Sequence, residues 1–142
     1  LLSRPQELAC DDAEDPVMMD KILTALGAEV LPWSAKTECC GASHTASEPS
    51  IGVKMTDKIL LAAQKSGADC IATACPMCMS NLDMRQEEAK KKYNHDYNLP
   101  IYYFTELLGL ALGIAPKTMG SDRHFVPAME ILEKYEKGGG AE

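Results

Sequence analysis

Two cysteine clusters carry the chemistry that this sequence can perform. One is Cys39-Cys40, inside Thr37-Glu38-Cys39-Cys40-Gly41-Ala42; the other is Cys75-Pro76-Met77-Cys78. Four of the six cysteines lie in them, with 34 residues between Cys40 and Cys75. Thiolates are soft ligands that suit zinc, copper(I) or iron–sulfur clusters. Four of them from two separate segments can close around one metal centre if the fold brings the segments together. A lone C-x-x-C is unspecific, since redox pairs and zinc knuckles both produce it. A C-x-x-C with a Cys-Cys-Gly elsewhere in the chain is far more specific.

Other residues invite chemical readings and plainer ones. A cysteine outside a cluster is more often a small core hydrophobe, and Cys70 and Cys10 are read that way. His44, four residues past Cys40, is a candidate substrate contact or metal ligand, against the plainer reading of a solvated loop histidine. His95 and His124 show no partner pattern. Asp83, Glu87 and Glu88 read as a solvated helix face, and Met77 and Met79 as packing residues.

Composition narrows the function classes. Lys+Arg is 14 and Asp+Glu is 21, a net charge of −7. An acidic chain without a long basic run is a poor nucleic-acid binder, and Lys90-Lys91-Lys92 reads as the solvated end of a charged helix. The apolar fraction of 46% suffices for one globular core, so a disulfide-stapled secreted domain is not called for. The most apolar stretch, Leu107–Ala115, is far short of the ~20 residues of a membrane span. With no span and no signal peptide, the expected compartment is the cytoplasm.

Hydrophobic periodicity places the clusters on elements. Residues 1–15 read as an irregular approach. Asp15-Pro16 predicts an N-cap and first helical residue for a helix over Pro16–Leu26, ended by Gly27. Ala28–Trp33 predicts a short strand, followed by the loop with Cys39 and Cys40. A helix is predicted over Pro49–Ser66, with Ile51, Met55, Ile59, Leu60 and Ala63 inward, Ser47 or Ser50 as cap and Gly67 at its end. Asp69–Ala74 predicts a central parallel strand, and Cys75-Pro76 the start of a helix running to about Tyr93. Pro100–Phe104 predicts a third strand, Glu106–Leu112 a helix capped by Thr105, and Pro127–Lys137 a last helix with Met129, Leu132 and Tyr135 as contacts. The expected fold is α/β, a short parallel sheet flanked by helices in Rossmann-like layers, with its N-terminal part missing. Residues 1–137 form one domain in this reading and 138–142 a flexible tail.

Ligands in open α/β sheets bind beyond the carboxyl ends of strands. Both clusters follow predicted strands, so both are expected at one sheet edge. Cys75 and Cys78 would hold the N-cap and N3 positions of a helix, where free amides and the helix dipole favour thiolates.

These stretches resemble the cysteine-rich CCG domain, and most closely that of the B-type subunit of heterodisulfide reductase. The likeness rests on Thr37–Ala42, on Asp69–Cys78 with Asn81-Leu82, and on Phe104–Gly113. The resemblance implies that Cys39, Cys40, Cys75 and Cys78 ligate a noncubane 4Fe–4S cluster. It also implies reduction of the coenzyme M–coenzyme B heterodisulfide or a related disulfide. Electrons would come from an iron–sulfur partner within a multi-subunit complex.

The family pattern has a further cysteine ahead of Cys-Cys-Gly. Cys10, with 28 residues before Cys39, lies too near; a cysteine immediately before Leu1 would have the family spacing. The chain is thus expected to be the C-terminal of two such domains, and inactive by itself. For this piece alone a zinc ion, a disulfide or no occupant stays open, and a structural zinc-binding or interaction module using the same four cysteines is the competing function. Thiol–disulfide exchange at Cys75 and Cys78 is a third reading.

Overall fold

The structure is a computed structural model that describes residues 11–138 apart from Ala13 and Ala46, with side chains as far as Glu133. The expectations placed on residues 1–10, Cys10 among them, on the Tyr135 side chain and on residues 139–142 lie outside the described residues.

The fold is α/β, with two short parallel strands: β1 (Ile71–Thr73) pairs with β2 (Ile101–Tyr103), with Ile71 opposite Ile101. Seven helices surround them among the described residues. They are α1 (Met18–Ala25), α2 (Pro49–Ser66), α3 (Pro76–Met84), α4 (Gln86–Tyr93), α5 (Phe104–Ala111), α6 (Pro116–Met119) and α7 (Met129–Gly138). Single 3₁₀ turns cover Ala42–His44 and Ser121–Arg123. Parallel strands need a long crossover, and α3 with α4 supplies it.

Side chains alternate across the sheet. Ile71 and Ile101 face one cluster, built on Val53, Ile59, Leu60, Ala63 and Leu82. Tyr102 faces the other, with Ala128 and Leu132, and Cys70 packs beside it. The Tyr102 hydroxyl donates to the Ala128 carbonyl, which ties α7's approach to the sheet.

Several elements differ from their predicted form. Residues 28–33 are irregular rather than a strand. Pro32 removes a donor, and among the described residues no backbone ladder runs beside this segment. Helix α1 begins at Met18, not Pro16, and Asp15 does not cap it. The Asp11 carboxylate does so instead, accepting from the N–H groups of Val17 at 3.0 Å and Met18 at 2.8 Å. Those bonds lower the Asp11 pKa.

Helix α2 has the predicted limits, between the N-cap Glu48 and Gly67 at φ 80°. Neither Ser47 nor Ser50 caps it; the Ser50 hydroxyl donates to Glu48. Its buried stripe runs through Gly52, Val53, Thr56, Ile59, Leu60 and Ala63, the last three as predicted, while Ile51 is 44% exposed.

The predicted helix 76–93 is broken at Arg85 (φ −96°, ψ 3°). Just past the break, buried Gln86 pairs with both backbone groups of Leu99 at 2.6 and 3.2 Å. The exchange satisfies the chain entering β2, and hydropathy does not reveal it. Helix α5 starts directly after β2 rather than at Glu106. Thr105 is not its cap: Glu106 reaches back to the Tyr103 N–H at 2.8 Å, as in a capping box.

The stripe on α2 makes a direct prediction. Leu60→Ala should destabilise the fold by about 2–5 kcal/mol, and Ile51→Ala by less than about 0.5 kcal/mol. Urea unfolding measures both, and equal losses would restore the stripe that the periodicity suggested.

Candidate functional site

Cys75 stands where β1 ends. It is the extended N-cap of α3 (φ −114°, ψ 122°), with Pro76 at the first helical position, as predicted. Cys78 follows in the first turn. Proline fits here because an amide at this position has no helical acceptor. The amides of Cys78 and Met77 bond the Cys75 sulfur and lower its pKa. Burial raises that of Cys78, and hydrogen-bonding contact with the sulfurs of Cys40 and Cys75 raises it further.

Contact between Cys40 and Cys78 joins the two motifs. No strand delivers Cys40; helix α2 does. Gly41 adopts φ 81° and ends the Cys-Cys pair in a left-handed turn, a conformation that glycine takes without penalty. A Cβ on Gly41 would stand 2.9 Å from the Gly52 Cα, so the loop lies against the backbone of α2. Two side chains then hold the buried Cys40 carbonyl. Asn81 Nδ2 donates to it at 2.9 Å, and the Thr56 hydroxyl at 3.4 Å.

The other predicted site residues are placed differently. Cys39 is exposed, and its sulfur accepts from the Gly41 N–H at 3.4 Å. His44 closes the 3₁₀ turn, half-buried, with its carbonyl accepting from the Glu48 N–H at 2.8 Å. Among the described residues its ring makes no hydrogen bond, and no three His, Cys, Asp or Glu side chains are gathered to share one metal ion. Cys70 is held away from the cluster, beside Tyr102, and burial pushes its thiol up to about 11.

The pattern of the cysteine-rich CCG domain matches residues 5–83, which include both cysteine clusters. The chain belongs to the CCG family. It is 32% identical to the B-type subunit of the ferredoxin/F420H2-dependent CoB-CoM heterodisulfide reductase of Methanosarcina acetivorans, over 99% of this chain and 48% of that protein. It is 36% identical to the B-type subunit of the ferredoxin:CoB-CoM heterodisulfide reductase of Methanosarcina mazei, over 91% and 44%. It is 35% identical to the 8-methylmenaquinol:fumarate reductase membrane anchor subunit of Wolinella succinogenes, over 90% and 45%. The chain spans about half the length of the curated relatives it matches. Among the described residues of this CCG domain, no helix is long and apolar enough to cross a membrane.

A cleft of about 510 Å³ continues along α3 beyond Cys78, lined by Met79, Ser80, Asp83, Glu106, His124 and Phe125 among others. Its polar wall differs from the sequence reading. Asp83 is not solvated: it is 4% exposed, and its carboxylate accepts from the N–H groups of Phe125 and Val126 at 2.8 and 2.9 Å. Glu87 and Glu88 are exposed, as expected. Both histidines without a predicted partner have one: His95 bonds Asp57 at 2.7 Å, and His124 bonds Glu106 at 3.0 Å. A second cleft, about 280 Å³, lies by Trp33 and the ion pairs of Lys36 with Asp15 and Asp20, with no cysteine among the described residues that line it.

The domain's sequence signals for Thr56, Asn81 and Gly52 are faint. Asn81 lies one turn after Cys78 and so shares its side of α3. Gly52 is a glycine inside a helix, where it costs stability unless something needs the space.

Gly41→Ala should strain the turn and clash with α2, a local cost of about 1–3 kcal/mol. Alkylation of buried Cys40 should then accelerate by about tenfold or more. Gly67→Ala is a fitting control, since φ is 80° there, close to the 81° of Gly41, but nothing lies within 4 Å of the new Cβ. If both variants leave Cys40 equally protected, the loop is not held by this contact.

The Glu106–His124 pair should make stability pH-dependent. The bond to Glu106 raises the His124 pKa above 6.5. Burial opposes ionisation of Glu106, but its bonds to His124, Tyr103 N–H and Ser121 prevail and lower its pKa below 4.5. The histidine contribution is complete below its unfolded pKa and is lost as pH rises through the folded one. The glutamate contribution is complete above its unfolded pKa and is lost as pH falls through the folded one. Glu106→Gln should therefore cost about 1.5–3 kcal/mol near pH ~6, and clearly less near pH ~9. Thermal melts across pH read the difference.

Proposed function

We propose that this CCG domain belongs to an iron–sulfur oxidoreductase subunit, with Cys39, Cys40, Cys75 and Cys78 as ligands of a noncubane 4Fe–4S cluster. The observation that carries the reading is the convergence of the two cysteine segments: Asn81, one turn after Cys78 on α3, holds the Cys40 carbonyl at 2.9 Å, and Cys78 packs against the core cluster that contains Cys40. The donor set fits. All four groups are soft thiols, and the α3 N-terminus favours the thiolate at Cys75. A mononuclear site needs its donors around one point, whereas a multinuclear cluster accepts ligands spread along its edges. The thiol set present suits either, and the similarity to heterodisulfide reductase B-type subunits favours the second. Bound there, the cluster would supply electron storage and transfer.

The proposed reaction is reduction of a disulfide, the coenzyme M–coenzyme B heterodisulfide or a related one. Two electrons and two protons convert it to two thiols. Heterodisulfide reductase subunits from two Methanosarcina species support that substrate class. The roles open to this chain's own residues are limited and specific. Gly41 and α2 hold Cys40 in place, the first-turn amides of α3 stabilise negative charge at Cys75, and His44 is proposed to contact substrate. The proposed setting is a cytoplasmic complex with further subunits, an iron–sulfur electron donor among them. The similarity to a menaquinol:fumarate reductase subunit gives a second reading, electron transfer linked to a quinol rather than a disulfide.

Iron, acid-labile sulfide and zinc should be assayed on anaerobically prepared protein, together with a visible spectrum. The assay should include this chain and one extended upstream of Leu1. Expected are iron and sulfide with a brown chromophore in the longer chain, and loss of at least half of the iron on Cys40→Ser or Cys78→Ser. Stoichiometric zinc in both chains, with no iron after reconstitution, would favour a structural zinc module. Turnover of a heterodisulfide against a quinol then separates the two redox readings.

A further inference from the structure

Asn81 is 7% exposed and uses its whole side chain. Nδ2 donates to the Cys40 carbonyl at 2.9 Å and to Thr56 Oγ1 at 3.1 Å. Oδ1 accepts from Arg85 Nε at 3.1 Å. The arginine can only donate, so it fixes which end of the amide faces the loop. The hydroxyl of Thr56 donates onward to the same carbonyl. One main-chain oxygen of the Cys-Cys-Gly loop thus receives a donor from α2 and another from α3. Asn81 belongs to the helix that bears Cys75 and Cys78. Its bond therefore relates the position of Cys40 directly to that of the C-x-x-C pair. An apolar residue of similar size would fill the space but would leave the loop free to shift.

We propose that Asn81 is a positioning residue that sets the separation of Cys40 from Cys78 before any cofactor arrives. Thr56 and Arg85 hold it in the required orientation. The proposal rests on the reading of these cysteines as cluster ligands only for its functional consequence; the positioning itself is measurable without metal.

The test uses the full-length protein and compares wild type with Asn81→Leu, Thr56→Val and Leu82→Ala. Leu82 is 3% exposed and belongs to the core next to Asn81, so its truncation controls for lost stability. Metal-free protein is treated with diamide, and formation of the Cys40–Cys78 disulfide is followed by peptide mapping. Iron uptake and the electron paramagnetic resonance signal are recorded after reconstitution.

Expected for Asn81→Leu is cross-linking slowed roughly tenfold, the scale on which small misplacements act, with iron uptake reduced in step. Thr56→Val should have a smaller effect. Leu82→Ala should cross-link at a rate within about twofold of wild type despite reduced stability. Cross-linking that tracks stability alone across the three variants would overturn the proposal, leaving Asn81 a structural residue. Wild type that cross-links as expected but takes up no iron would instead count against the cluster reading, with the positioning role intact.

Discussion

The carbonyl oxygen of Cys40 is the point at which the two cysteine motifs are joined. It is buried, and a buried carbonyl without a donor costs about 1–3 kcal/mol. Asn81 and Thr56 both supply one. Neither donor could reach it unless Gly41 let the loop lie on α2 at Gly52. The left-handed turn, the close backbone contact and the two side-chain donors form a single constraint. Each part adds to the hold on Cys40, and the Asn81 bond adds the most because it comes from the helix that bears Cys78. The constraint also explains why a loop can carry a buried cysteine at all, since its main-chain polar groups are satisfied within the protein.

The same economy of backbone pairing recurs around a very small sheet. Two strands of three residues each offer few ladder bonds, so side chains stitch the remaining segments. Gln86 pairs with Leu99 where the chain enters β2. Asp83 gathers the Phe125 and Val126 amides. Glu106 bonds the end of β2, the Ser121 hydroxyl and His124. Each is a carboxylate or amide from a helix, and each fixes an irregular segment that no strand could. Helix α3 takes part twice: Asn81 reaches the cysteine loop and Asp83 the 125–126 segment. The element that presents Cys75 and Cys78 is thereby anchored on two sides.

Sequence reading goes furthest where local rules decide. The limits of α2, the strand cores at 71–73 and 101–103, the glycine ends at Gly27 and Gly67, and the switch from strand to helix at Cys75-Pro76 all follow from proline, glycine and periodicity. Those signals act over a few residues, and at these positions no distant partner competes with them. Reading fails where a partner far along the chain is decisive. Asp11 displaces Asp15 as the cap of α1, and Gln86 and Leu99 accompany a break that the charged run from Arg85 conceals. Asp83 resembles one more acid on a solvated helix because its amide partners lie 42 and 43 residues away.

For the site, the sequence by itself determined which groups are present: soft thiols in two clusters, one at a helix start, with a glycine beside the other. It also placed Cys75 and Cys78 relative to each other, because both belong to one helical turn. Only the tertiary structure decided that Cys40 meets them, and by a route different from the predicted one. The Cys39-Cys40 pair was expected to follow a strand to the sheet edge. It is instead held by α2 from below and by Asn81 from the side, because hydrogen bonds across 16 and 41 residues leave no periodic trace.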